Sequence, residues 1–131
     1  MPKVYDTRFF VEYFYSSDQN LLKKLKEDLR KVKKRIVSAV TIHELYALHL
    51  KREGREVAKL RSETIRRDFQ VVNVDYTVAV KSGEIRNNCH IPLADAVIAA
   101  TAQIHTCPVV SDDPHFQEIE SIKTTWYPTH T

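Results

Sequence analysis

The sequence predicts an α/β fold, a three-layer sandwich in which helices cover both faces of a mainly parallel sheet of about five strands. Two observations point to it. Short apolar runs rich in β-branched residues alternate with longer amphipathic segments along the chain. Strands separated by helices need crossover connections, which make neighbouring strands parallel and place helices on both faces. At 131 residues, 43% hydrophobic and 28% charged, the chain has the size and composition of one ordinary globular domain, read as residues 1–131.

The elements follow in order. Val4-Tyr5 is the core of a first strand that ends at Asp6. Phe9, Phe10, Tyr13 and Phe14 then recur at helical spacing. Asp18 is a good N-cap for a helix with Leu21, Leu22, Leu25, Leu29 and Val32 on one face and Lys23, Lys26, Arg30 and Lys34 on a solvated one. Ile36 to Val40 reads as a second strand. Thr41 opens a helix to about Glu53, Gly54 breaks it, and a strongly charged helix resumes from Arg55 to Asp68. Gln70 to Val74 is a third strand. Asp75 caps a helix that ends near Asn87, and Pro92 starts a helix of small residues that ends near His105. Val109-Val110 is a buried strand, Asp113-Pro114 signals the start of a short helix, and Thr124 to Tyr127 reads as a final edge strand.

Composition excludes several classes. Cys89 and Cys107 form neither a CxxC pair nor a Cys/His cluster, which argues against a disulfide scaffold and a structural zinc site. No run is long enough to cross a bilayer and the N-terminus lacks a signal-peptide core, so no membrane association and a cytoplasmic location are expected. The formal net charge of +3 permits a polyanionic partner without demanding one. The basic stretches at Lys31–Arg35 and between Lys51 and Arg67 read first as solvated helix faces, with RNA contact as the alternative.

Three acidic residues occupy one topological place. Asp6 follows the first strand, Glu44 lies in the first turn after the second, and Asp113 lies just after Val109-Val110. In a parallel sheet the carboxyl ends all point the same way, and ligands bind in the crevice there. Asp95 adds a fourth, in the first turn of the small-residue helix. Two carboxylates ~4 Å apart repel by about 1 kcal/mol in water and about 4 kcal/mol near a protein surface. A hard divalent cation relieves that repulsion, and it can activate water against a phosphodiester. The same residues are also good helix-start residues. Thr41 and Glu44 fit a capping box, Asp113-Pro114 a cap with proline in the first turn, Asp95 the positive end of a helix dipole, and Asp6 a cap of the first helix.

Four segments together resemble the PIN domain family, and within it the VapC-type toxins of toxin–antitoxin pairs. They are Val4-Tyr5-Asp6-Thr7, Ser38-Ala39-Val40-Thr41-Ile42-His43-Glu44-Leu45, Leu93-Ala94-Asp95-Ala96 through Thr101-Ala102, and Val109-Val110-Ser111-Asp112-Asp113-Pro114-His115-Phe116. The resemblance covers nearly the whole chain. It implies a Mg²⁺- or Mn²⁺-dependent endoribonuclease whose acidic ligands are Asp6, Glu44, Asp95 and Asp113. It also implies a homodimer neutralised by a small VapB-like antitoxin. A housekeeping RNA-processing PIN nuclease and a non-catalytic PIN-like module that binds RNA or protein are the alternatives.

Thr7, Ser111 and His115 are candidates for substrate contact or for support of the acidic residues. Ser111 would contact phosphate or orient Asp113, beside a plain turn role. His115 stands where many members carry a further acidic residue, and reads first as a surface histidine. Arg8 replaces a common serine, and would contact phosphate or face solvent. The single acid at Asp6-Thr7-Arg8 also departs from the patterns of phosphoreceiver domains and of haloacid-dehalogenase-like phosphatases.

Overall fold

The computed structural model describes residues 1–128. Five strands, β1 (Pro2–Tyr5), β2 (Lys34–Ser38), β3 (Gln70–Val72), β4 (Val109–Val110) and β5 (Thr124–Thr125), form one sheet in the order β3-β2-β1-β4-β5. All four pairings are parallel. Six helices flank it: α1 (Thr7–Tyr15), α2 (Gln19–Lys31), α3 (Ala39–Glu53), α4 (Arg55–Asp68), α5 (Tyr76–Asn88) and α6 (Leu93–His105). A 3₁₀ helix spans Pro114–Glu118. Among the described residues no helix is long and apolar enough to cross a membrane.

Strand alternation divides the core. Val4, Ile36 and Val109 face a cluster with Val78 and Ile85 of α5, Ala96 and Ala99 of α6, and Phe116. Their neighbours Tyr5, Val37 and Val110 face the other way, onto Phe9, Phe10, Leu21, Leu25, Leu45 and Ile65 from α1 to α4. Each fully buried large apolar side chain contributes about 1.5–3 kcal/mol, so these two clusters hold the fold and leave the surface charges a minor part. In α6 every residue from Ala96 to Ala102 is buried. Its small side chains let the helix lie close against β1, β2 and β4.

Several boundaries differ from the sequence expectation: α2 ends at Lys31, so Lys34 opens β2 and does not lie on the helix's solvated face, and the strand starts before Ile36. β2 ends at Ser38 and not at Val40, because the Ser38 hydroxyl accepts from the Val40 N–H and starts α3. Ser38, not Thr41, is thus the cap, and Glu44 lies in the second turn of α3, not the first. β3 stops at Val72 because its register, Ser38↔Val72, runs out where β2 ends. β5 is limited to Thr124–Thr125 by its two-residue partner β4. The caps at Asp18 and Asp75 form as expected. Gly54 separates α3 from α4 at φ +92°, a conformation that strains a residue with a side chain.

Candidate functional site

The chain builds outward from β1 through β2 to β3, then crosses back to place β4 on the other side of β1. The order therefore reverses between β1 and β4, which is where a crevice forms beyond the carboxyl ends. Asp6 leaves β1 on one side of it, and Ser111-Asp112-Asp113 leave β4 on the other. The Asp6 N–H donates to the Val110 carbonyl at 3.3 Å and continues the pairing into the crevice.

Asp6 is 3% exposed. It occupies the N-cap position of α1 but makes no side-chain cap. Its Oδ2 instead accepts a hydrogen bond from Ser111 Oγ at 2.7 Å. That oxygen of Ser111 in turn accepts from the Asp113 N–H at 3.0 Å. Ser111 thus orients Asp6, not the Asp113 carboxylate that the sequence pointed to, and it pins the turn that carries Asp113. Asp113 does cap the 3₁₀ helix, as its Oδ1 accepts from the His115 N–H at 2.9 Å.

The other two acids come from the helices. Asp95 sits in the first turn of α6 with its side chain 13% exposed. Glu44 projects from α3, where its Oε1 accepts from Thr7 Oγ1 at 2.6 Å. Thr7 Oγ1 also lies 3.3 Å from Thr41 Oγ1, so the capping box is replaced by a tie between α1 and α3.

His115 points Nδ1 at two of these acids. Its Nδ1 is 2.9 Å from Asp95 Oδ2 and 2.9 Å from Asp113 Oδ1. Asp95, Asp113 and His115 offer donor atoms that all lie within 4.8 Å of one another. His115 thus stays at the surface, with its side chain 40% exposed, and brings only this nitrogen to the acids. Its helix is anchored by the buried Phe116, which aims the preceding ring at α6.

Arg8 is exposed and pairs with none of the four site acids. It pairs with exposed Asp112 at 2.9 Å and with Glu12, and its guanidinium lies 5.7 Å from the Trp126 ring centroid. Asp112 is thereby set apart from Asp113. The basic stretch Lys31–Arg35 precedes and opens β2, at the end of the sheet opposite the acids.

The site is electrostatically strained. Burial raises the Asp6 carboxyl to about 7, with the charges of Asp95 and Asp113 adding to it against the Ser111 hydrogen bond. Burial likewise raises Asp95 to about 6, with Asp113 and Glu44 adding and His115 opposing. Asp6 thus feels Asp95 and Asp113, and Asp95 feels Asp113 and Glu44. Thr101, two turns along α6, is buried and donates to the Val97 carbonyl at 2.9 Å, a packing role within the helix.

A family model described as PIN domain matches residues 3–122. The chain belongs to the PIN domain family. Solved structures share its fold. A VapBC2 complex from Rickettsia felis bound to a promoter DNA fragment superposes with a TM-score of 0.80 at 15% identity, covering 98% of this chain and 100% of that one. A FitAB complex bound to an IR36 DNA fragment gives 0.75 at 25% identity, covering 98% of each. VapC20 of Mycobacterium tuberculosis, a toxin that cleaves the sarcin–ricin loop, gives 0.74 at 19% identity over 90% of this chain and 95% of that one. No curated protein matches the chain by sequence. The four segments singled out in the sequence all fall within the PIN match.

Proposed function

We propose that this PIN domain, spanning residues 1–131, is a Mg²⁺- or Mn²⁺-dependent endoribonuclease and the toxin of a type II toxin–antitoxin pair. One observation carries the reading. Asp6, Glu44, Asp95 and Asp113 converge on one crevice, and two of them are driven up by burial and by each other's charge. A cluster dominated by carboxylates suits a divalent cation that accepts oxygen ligands and would remove the repulsion. Asp6, Asp95 and Asp113 would hold it, and Glu44 would bind it or position the attacking water. When bound, the cation would lower the pKa of that water and neutralise charge on the phosphodiester.

The chain's own residues supply the positioning. Ser111 holds the Asp6 carboxylate and the Asp113 turn with one hydroxyl. Thr7 fixes Glu44 from the first turn of α1, which ties the elements that follow β1 and β2. The placement of Lys31–Arg35 assigns any phosphate contact at the crevice to other residues. The VapBC and FitAB likenesses support a VapB-like antitoxin partner; toxin function, a homodimer and a cytoplasmic location belong to the same proposal.

The test is cleavage of a panel of structured and single-stranded RNAs with Mn²⁺, Mg²⁺ or EDTA, beside an Asp95→Asn control. Cleavage that requires metal and disappears in the variant is expected. Cleavage that survives in the variant would sink the site assignment. Absence of cleavage across the panel with either metal would favour a PIN module that binds without cutting.

A further inference from the structure

Resting on the reading of the crevice as a cation site, we propose that His115 is itself a metal ligand through Nδ1, and that this nitrogen makes the site select Mn²⁺ over Mg²⁺. Nδ1 lies 2.9 Å from an oxygen of Asp95 and 2.9 Å from an oxygen of Asp113. The nitrogen is buried, yet it forms a hydrogen bond with neither. Both oxygens are close enough, and neither stands in a hydrogen-bonding direction. Coordination geometry accounts for that spacing. Two adjacent ligands of an octahedral ion, each about 2.1 Å from the metal, are about 3.0 Å from each other. Nδ1 and its two oxygen neighbours are therefore spaced as edges of one coordination shell.

The position is also built. The His115 N–H is tied to the same Asp113 carboxylate that its ring faces, and Phe116 locks the turn into the core. The chemical consequence follows from the donor. Mg²⁺ takes oxygen ligands and dehydrates reluctantly, so an imidazole in its shell is unfavourable. Imidazole suits the first-row transition ions, and carboxylates suit Mn²⁺ as well, so Mn²⁺ accepts this mixed set. An aspartate in place of His115 would return the site to oxygen alone.

The experiment measures Mn²⁺ binding by the electron paramagnetic resonance signal of the free ion, with Mg²⁺ as competitor. Pulsed measurements on the bound ion add a readout of ¹⁴N coupling. Wild type, His115→Ala and His115→Asp are compared, and circular dichroism confirms that each is folded. Wild type should show nitrogen coupling that both variants lose. Mn²⁺ affinity should fall about tenfold or more in His115→Ala. In His115→Asp the Mn²⁺/Mg²⁺ preference should fall by a similar factor, with Mg²⁺ binding kept or improved. Mn²⁺ bound to wild type without nitrogen coupling, or coupling retained in His115→Ala, would overturn the role of His115 and leave the cation site standing. No Mn²⁺ binding by folded wild type would remove the cation site and His115 with it.

Discussion

Asp28 and Asp6 are both drawn out of water against β1, and the fold treats them in opposite ways. Asp28, on α2, receives the Lys3 ammonium at 2.8 Å and the hydroxyls of Tyr5 and Tyr127 at 2.9 and 3.0 Å. Burial alone would raise its pKa, but those three donors outweigh burial and hold it below the ordinary carboxylate value. The same contacts raise both tyrosines, burial being the larger cause. Asp6 receives one side-chain donor, Ser111, and faces two other carboxylates. Asp28 is a structural acid that ties α2 and the C-terminal segment to the sheet. Asp6 is an acid held against its preference, which is the mark of a site waiting for a counter-charge.

The largest expected effect separates the two acids by opposite responses to amide substitution. Asp6→Asn should lower metal-dependent RNA cleavage by roughly 10²–10³-fold, while stabilising the metal-free protein at pH 7.5 by about 1–3 kcal/mol. Asp28→Asn should leave cleavage nearly intact and destabilise by about 2 kcal/mol, since the Lys3 charge loses its partner. Denaturant titration in EDTA beside a cleavage assay checks both. A loss of stability in Asp6→Asn would mean that Asp6 is structural like Asp28, and the contrast would collapse.

The two acids also differ in the sign of their pH dependence. Asp6 has a folded pKa of about 7 against an ordinary 3.8, and Asp95 about 6. Between those values the unfolded chain gives up its protons first, so their contribution is fully present below about 4 and is lost as pH rises towards 7. Asp28 has a lowered folded pKa, so its contribution is present above 3.8 and is lost as pH falls through the folded value. In EDTA, unfolding free energy should therefore decline from pH 4.5 to 7.5, and Asp6→Asn should flatten that decline. An unchanged slope in the variant would break the assignment of the titration to Asp6.

The Asp6 side of this contrast was legible in the sequence and the Asp28 side was not, since its three donors lie 25, 23 and 99 residues away. The alternation of strand and helix gave the parallel sheet, and the strand-end positions of Asp6 and Asp113 gave the crevice. Whether those acids were caps was open, because a cap and a ligand use the same residue types at the same helix starts. Long-range partners decide it. The bond from Ser111 to Asp6 joins residues 105 apart, and Thr7 reaches Glu44 across 37. No local pattern contains such pairs. Asp113 is both at once, a cap through Oδ1 and a member of the cluster. His115 was only one candidate among three for a related reason. Its spacing from Asp113 placed it at the site, but its approach to Asp95 depends on how α6 packs, which sequence spacing does not set.

The smallest effect tests whether Thr7 acts through Glu44 or only as a helix-start residue. Its hydroxyl is 2.6 Å from Glu44 Oε1, and removing it leaves a carboxylate free to swing without opening a cavity. Thr7→Val should change stability by no more than about 1 kcal/mol. It should lower cleavage roughly tenfold if the loss of one positioning hydrogen bond is felt at the site. Thr7→Ser keeps the hydroxyl and should recover most of that activity. The decisive measurement is a double-mutant cycle with Glu44→Gln. If Thr7 works by holding Glu44, the second substitution costs little once the first is made, and the two effects are not additive. Full additivity would show that Thr7 serves α1 rather than the crevice, and Glu44 would then owe its position to α3 alone.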